Sequence, residues 1–148
     1  MTTTDAQTLA ERCAQAMYAR DRASQNAGMV IDAVAPGYSK VSMTLAPEMV
    51  NGHHIAHGGA IFMLADSSFA FACNSRDVAT VAQHCSISYI SPGREGERLT
   101  AECRETSLAG RFGIYDATIT GGDGRVVAIF RGYSAALRER VLKGNSDS

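Results

Sequence analysis

Two glycines and one carboxylate, placed along a single apolar segment, are the residues of this sequence best suited to chemistry. Gly58 and Gly59 open the segment, and Asp66 lies in its middle. If the segment is a helix, its first backbone N–H groups lack partners within it. Such donors, aided by the helix dipole, suit a developing negative charge, and glycine lets a ligand approach the backbone closely. A tight turn leading into a helix would show the same His57-Gly58-Gly59 pattern, so this feature alone leaves both interpretations open.

Asp66 stands among apolar side chains, where a buried carboxylate is unfavourable unless something pairs with it. Burial would raise its pKa, which suits a general base or a nucleophile. Ser67 and Ser68 follow directly and could hydrogen-bond the carboxylate, so a structural role is the alternative. We predict that Asp66 is catalytic and that Gly58 supplies an oxyanion-stabilising N–H.

The spacing of these two residues has a consequence for assembly. Gly58 and Asp66 are eight positions apart, which is roughly 12 Å along a helix. One chain therefore cannot bring both groups to a single carbonyl carbon. Two helices set antiparallel about a two-fold axis can do so, because Gly58 of one chain then lies near Asp66 of the other. We expect active sites between subunits.

The residues before the glycine pair raise the question of a metal site. His53 and His57 are four apart, but the glutamate of an H-E-x-x-H motif is missing, since position 54 is another histidine. The pair also spans a predicted loop-to-helix boundary, so we predict no metal. Asn51 could orient a substrate carbonyl or a water through its amide, or it could simply form an Asn-Gly turn.

The elements that would position these residues follow from hydrophobic periodicity and turn signals. An amphipathic helix is predicted over 5–24, and a central helix with almost no polar face over 57–75. Strands joined by short connections imply antiparallel pairing. The predicted strands cover 29–35, 38–45, 78–90, 99–107, 112–120 and 125–137. A helix that is apolar all round has to be enclosed, so the expected fold class is α+β, with a curved antiparallel sheet wrapped around one long buried helix.

The composition narrows the class of protein. The chain has 148 residues and a formal net charge of −1, so neither nucleic acid nor an anionic membrane is an expected partner. We expect a single domain over 1–148 with a flexible tail over 141–148. Residues 1–22 contain no uninterrupted apolar stretch, so neither a signal peptide nor a membrane span is expected there. The four scattered cysteines are interpreted as reduced thiols of a cytoplasmic protein.

Several ordered motifs resemble the phenylacetate-pathway acyl-CoA thioesterases of the hot-dog superfamily. The similarity covers roughly residues 25–135. The matching segments are Asn51-Gly52-His53, His57-Gly58-Gly59, Leu64-Ala65-Asp66, Phe69-Ala70-Phe71-Ala72-Cys73-Asn74-Ser75, Ser91-Pro92-Gly93, Gly113-Ile114-Tyr115-Asp116 and Val127-Ala128-Ile129-Phe130-Arg131-Gly132.

This resemblance implies a hot-dog fold and hydrolysis of an acyl-CoA thioester. Asp66 would be the nucleophile or general base, Gly58 would polarise the thioester carbonyl, Asn51 would help to position water or carbonyl, and His57 would support the site. The resemblance also implies a dimer of dimers and phenylacetyl- or hydroxyphenylacetyl-CoA as substrate. A medium-chain acyl-CoA is the other expected substrate, and coenzyme A is part of the substrate, so no separate cofactor is expected.

Contacts to the substrate or to its CoA portion are expected from a small set of further residues. Arginine pairs well with phosphate, and related sites carry a threonine one turn after the carboxylate, where Ala70 stands here and Ser67 could substitute. The candidates are Gly59, Ser67, Arg94, Arg111 and Arg131. Two alternatives stay open: an acyl-CoA hydratase or dehydratase using His57 with Asp66, and a non-catalytic acyl-CoA-binding protein.

Overall fold

The computed structural model describes residues 2–143, which form three helices, a short 3₁₀ turn and six strands. The helices are α1 (Thr3–Arg20), α2 (Arg22–Asn26) and α3 (Gly58–Cys73), and the 3₁₀ turn is Pro47–Met49. The strands are β1 (Val30–Ala35), β2 (Tyr38–Thr44), β3 (Thr80–Tyr89), β4 (Arg98–Ala109), β5 (Phe112–Thr120) and β6 (Val126–Ala136).

All six strands form one antiparallel sheet in the order β1-β2-β4-β5-β6-β3. Strands β4, β5 and β6 are neighbours in both sequence and space. Strand β3 is not: after α3, the chain crosses to the far edge of the sheet, where β3 pairs with β6. The sequence predicts the strands within a few residues, because Gly and Pro mark the turns, but it does not predict this crossing.

Helix α3 lies on the concave face of the sheet and supplies much of the core. Phe69 packs against Tyr115 and Phe130, with ring centroids 5.5 and 5.9 Å away. At Gly132 a Cβ would come within 2.8 Å of the Phe69 ring, so the helix rests directly on the backbone of β6. The predicted α+β architecture, a curved antiparallel sheet around one central helix, is confirmed, and it is the hot-dog fold.

The N-terminal region differs from the single helix predicted over 5–24. The helix breaks at Asp21, whose backbone is not helical. The Asp21 side chain accepts a hydrogen bond from the Ser24 N–H at 2.9 Å and so caps the start of α2. An aspartate three positions before the N–H that it accepts is a helix N-cap. The central helix is also slightly shorter than 57–75, because His57 and Asn74 cap it.

The end of the described chain corrects part of the predicted tail. Val141 is only 5% exposed, and the Leu142 N–H donates to the Asp77 carboxylate at 2.7 Å. Arg140 also pairs with Asp77, at 2.6 Å. Residues 141 and 142 are therefore anchored to the body of the protein, since these contacts satisfy a nearly buried carboxylate. Lys143 is exposed, and residues 144–148 of the predicted tail lie outside the described residues.

Within residues 2–143, no helix is both long enough and apolar enough to span a membrane.

Candidate active site

The N-terminus of α3 presents one free backbone donor. His57 is the N-cap residue, and its Nδ1 accepts a hydrogen bond from the Gly59 N–H at 2.9 Å. The N–H groups of Ala60 and Ile61 donate to the His57 carbonyl. Among the residues that the structure describes, nothing accepts from the Gly58 N–H. Three of the first four donors are thus occupied, and the donor that the sequence predicted for an oxyanion is left unpaired.

The capping contact also orients the His57 ring, because its Nδ1 serves as the hydrogen-bond acceptor for the Gly59 N–H. This geometry gives His57 a supporting role at the helix start. Within residues 2–143, no three His, Cys, Asp or Glu side chains lie together as a metal site would require. The absence of a metal stays a prediction.

Gly58 lies at the edge of a largely apolar recess of about 440 Å³. Asn51 lines the same recess, and its side-chain oxygen accepts from the His53 N–H at 2.9 Å, which folds the loop back on itself. The Asn51 amide NH₂ makes no hydrogen bond within the described chain. It is therefore available to a carbonyl or a water. The full lining is Asn51, Ile55, Ala56, Gly58, Ile61, Tyr89, Ile90, Ser91 and Pro92.

The far side of the recess is held by a hydrogen-bonded loop. Arg125 donates to the Pro92 carbonyl at 2.6 Å and pairs with Glu97 at 2.7 Å. The hydrogen bonds from Arg125 lower the pKa of Glu97 to about 2. The Ser91 hydroxyl donates to the Val126 carbonyl at 2.6 Å. These contacts fix the loop that lines the recess.

Asp66 lies on α3 without the serine contacts that a structural role would need. The Ser67 hydroxyl bonds Ser24 at 2.9 Å, and the Ser68 hydroxyl donates to the Ala65 carbonyl at 2.7 Å. Burial raises the pKa of the Asp66 carboxyl, and the nearby charge of Asp21 raises it further. A carboxylate with raised basicity and no hydrogen-bond partner in the described chain is suited to taking a proton.

Asp66 does not line the recess that holds Gly58 and Asn51. It lies on a stripe of α3 that the sheet leaves uncovered. Met63, one turn before it, is 41% exposed, although the sequence predicted a helix buried on most sides. The members of the stripe, exposed or half-buried, are Gly59, Met63, Asp66 and Ala70. The two candidate groups of one chain are thus separated, as their spacing predicts.

The three arginines proposed for CoA phosphates have different surroundings. Arg131 is held by Asp116 through two hydrogen bonds, at 2.6 and 2.8 Å. Its neighbours in β6 face α3, so Arg131 points to the opposite face of the sheet. Arg111 donates to the Ala136 carbonyl at 3.1 Å, near the other end of α3. Arg94 follows the recess-lining loop, and its guanidinium makes no ion pair within residues 2–143. Arg131 is therefore already paired with a carboxylate, whereas Arg94 has no ion pair in the described chain and lies two residues after the recess-lining Pro92.

Tyr89 is a residue of the recess that the sequence analysis missed. It is the last residue of β3, and its hydroxyl donates to the Gly58 carbonyl at 2.9 Å. In sequence it is one aromatic residue of an alternating strand, which carries no functional signal. Only the crossing that places β3 next to the start of α3 brings it to the site.

Comparisons with known proteins agree with this architecture. Residues 53–128 match the family model of the Thioesterase superfamily. The acyl-coenzyme A thioesterase PaaI of Escherichia coli K12 is 40% identical over 121 residues, which cover 82% of this chain and 86% of that protein. The structure of the E. coli PaaI protein from the phenylacetic acid degradation operon superposes with a TM-score of 0.89 at 37% identity, covering 90% of this chain and 97% of that one. A mutant of the phenylacetic acid degradation protein PaaI from Thermus thermophilus gives a TM-score of 0.76 at 32% identity, covering 79% and 100%.

The resemblance found in the sequence is therefore confirmed by a family match, by a curated relative and by structural similarity over most of the chain. The matched region contains Gly58, Asp66 and Tyr89, and so includes both ends of the candidate site. The chain belongs to the thioesterase superfamily.

Proposed function

We propose that this protein hydrolyses acyl-CoA thioesters to the free acid and coenzyme A. Its substrates are aryl-CoAs of the phenylacetyl type or medium-chain acyl-CoAs. The observation that carries the proposal is the unpaired Gly58 N–H at the start of α3, beside an apolar recess. The name of the E. coli relative supports acyl-CoA as the substrate class.

The reaction follows from the roles of the site residues. The thioester carbonyl accepts from the Gly58 N–H, which stabilises the negative charge that develops on its oxygen. Asp66 takes a proton from water as the water oxygen bonds to the carbonyl carbon; the C–S bond then breaks, and the proton passes to the departing thiolate of CoA. Alternatively, Asp66 attacks the carbon itself, and the C–S bond breaks to leave an acyl–Asp66 anhydride and the CoA thiolate. Water then cleaves the anhydride, which releases the acid, regenerates Asp66 and supplies the proton of the thiol. Asn51 orients the carbonyl or the water.

A complete site requires a second copy of the chain. Strand β3 is an edge of the sheet, and its outer side is unpaired within the described chain, which makes it a template for another strand. The other edge, β1, is covered by α1, where Gln7 donates to the Val34 carbonyl at 2.7 Å. We propose that two chains pair through β3 and set their α3 stripes against each other, and that two such dimers form the tetramer. The cytoplasmic location stays a prediction.

The test is thiol release from a panel of aromatic and straight-chain acyl-CoAs by the native protein and by Asp66→Asn. Turnover that collapses in the variant supports both the reaction and the role of Asp66. Hydration of an enoyl-CoA without thiol release would identify a hydratase instead. Tight binding of acyl-CoA without any reaction would identify a binding protein.

A further inference from the structure

The start of α3 receives little restraint from its own sequence. Gly58 and Gly59 are the first two helical residues, and glycine is among the least helix-favouring residues because it has the most backbone freedom to lose. An oxyanion donor, however, acts only if it is held in place before the charge develops. Something outside the helix has to restrain the Gly58 peptide.

Tyr89 makes two kinds of contact with Gly58. Its hydroxyl donates to the Gly58 carbonyl at 2.9 Å. A Cβ built on Gly58 would lie 3.0 Å from the Tyr89 hydroxyl oxygen and 3.1 Å from Cζ, so the phenol packs directly on the glycine Cα. A hydrogen bond and a packing contact from one side chain together restrict both position and rotation.

His57 restrains the next residue from the other side, through its hydrogen bond with the Gly59 N–H. The Gly58 carbonyl and the Gly59 N–H belong to one peptide group, so both side chains hold the peptide that follows the Gly58 Cα. The Gly58 N–H lies in the preceding peptide, whose His57 carbonyl accepts hydrogen bonds from the next turn of the helix, and the N–H itself stays free. Resting on the proposed function, we propose that Tyr89 is a positioning residue that holds Gly58 at its carbonyl and Cα, and so keeps its N–H directed at the thioester carbonyl.

Tyr89→Phe is the direct test, because it removes the hydroxyl and keeps the ring. Tyr38→Phe is the matched control, since the Tyr38 hydroxyl donates to Glu102 at 2.9 Å on the opposite face of the sheet. Steady-state kcat and KM are measured on the best acyl-CoA. Hydrogen exchange of the Gly59 amide is measured by NMR after glycine-selective ¹⁵N labelling of the same proteins.

We expect kcat of Tyr89→Phe to fall about 3- to 10-fold, the effect of one lost hydrogen bond. KM should change less than about two-fold, and the Gly59 amide should exchange faster, while Tyr38→Phe matches the native protein in all three. An unchanged kcat, or a change confined to KM, would overturn the proposal, since Tyr89 would then only line the recess. If the native protein hydrolyses no thioester, the proposed function fails, and the exchange rate still decides the positioning: unchanged exchange would refute it, and faster exchange would support it.

Discussion

Two inactive variants should restore activity when they are combined in one oligomer, if each site takes its N–H from one subunit and its carboxylate from another. The first variant is Gly58→Pro, which removes the N–H. Proline is well accepted as the first residue of a helix, and the extended backbone of His57, with ψ 133°, is compatible with a following proline. The second variant is Asp66→Asn, which removes the basic carboxylate and nearly keeps its volume.

The size of the rescue follows from the geometry. Loss of one oxyanion donor lowers kcat about 10²- to 10³-fold, and loss of a general base about 10²- to 10⁴-fold, so each parent is nearly inactive. Random mixing makes half of the dimers mixed. In a mixed dimer one site receives both defects, and the other is intact. Roughly a quarter of all sites are therefore native, so the mixture should recover roughly a quarter of native turnover.

The assay is acyl-CoA hydrolysis by the two variants co-expressed at equal levels, with the subunit ratio checked by mass spectrometry. Gly58→Ala is the matched control for Gly58→Pro. Its Cβ meets Tyr89 at the same 3.0 Å, but it keeps the N–H. Gly58→Ala should therefore retain far more activity than Gly58→Pro.

Co-expressed variants that stay as inactive as the separately purified parents would refute the shared site. Native-like activity in either parent on its own would instead remove Gly58 or Asp66, respectively, from the chemistry. Rescue near a quarter would show that the site lies between subunits, and that β3 or another surface brings the two α3 helices together.

Three further outcomes follow from the charges of the site. The folded-state pKa of Asp66 is raised, so ionisation of this carboxyl destabilises the folded protein at pH values above its unfolded pKa of about 4. The melting temperature of Asp66→Asn should therefore equal that of the native protein near pH 4 and exceed it at pH 7. A difference in melting temperature that does not depend on pH would contradict this. Asp21→Asn should lower the pKa of Asp66 and move the acidic limb of the kcat/KM profile to lower pH. Asp32, which pairs with Arg98 at 3.6 Å, provides the control: Asp32→Asn should leave the acidic limb in place. Arg94→Ala should raise KM for acyl-CoA about five-fold through loss of a phosphate contact, while Arg131→Ala should not; equal effects would argue against this assignment.

The sequence was most informative where physical requirements are local. Gly and Pro signals delimited the strands closely, and the apolar stretch of α3 with its glycine pair marked both the central helix and the donor. Asp66 was identified because burying an unpaired carboxylate in an apolar helix is energetically unfavourable. The break at Asp21 was missed, although Asp21 with Ser24 three positions later is a capping pattern.

Properties that depend on distant pairing could not be predicted in the same way. The contact of Tyr89 with Gly58 and the pairing of Arg131 with Asp116 both depend on strand order and register. The anchoring of Val141 and Leu142 depends on the Asp77 carboxylate. Asp77 has a positive φ of 63°, which the sequence pattern does not predict. Each of these contacts joins residues far apart in the chain, where periodicity carries no information.

The position of β3 in the sheet also bears on the order in which the protein can fold. Strand β3 is synthesised before β4, β5 and β6, yet its partner in the sheet is β6, the last strand. Such long-range pairing is slow to form because a large loop has to close first. Until β6 is available, β3 has no sheet to join, and Tyr89 cannot reach Gly58.

A chain that stops before Val126 lacks β6, and with it the partner strand of β3. It has no support for the edge on which two copies are proposed to meet, and no fixed partner for the start of α3. Completion of the last strand is thus the step at which folding, assembly and competence for catalysis become possible together. A truncated chain would be prevented from hydrolysing thioesters by topology alone, even though Gly58 and Asp66 are both present in it.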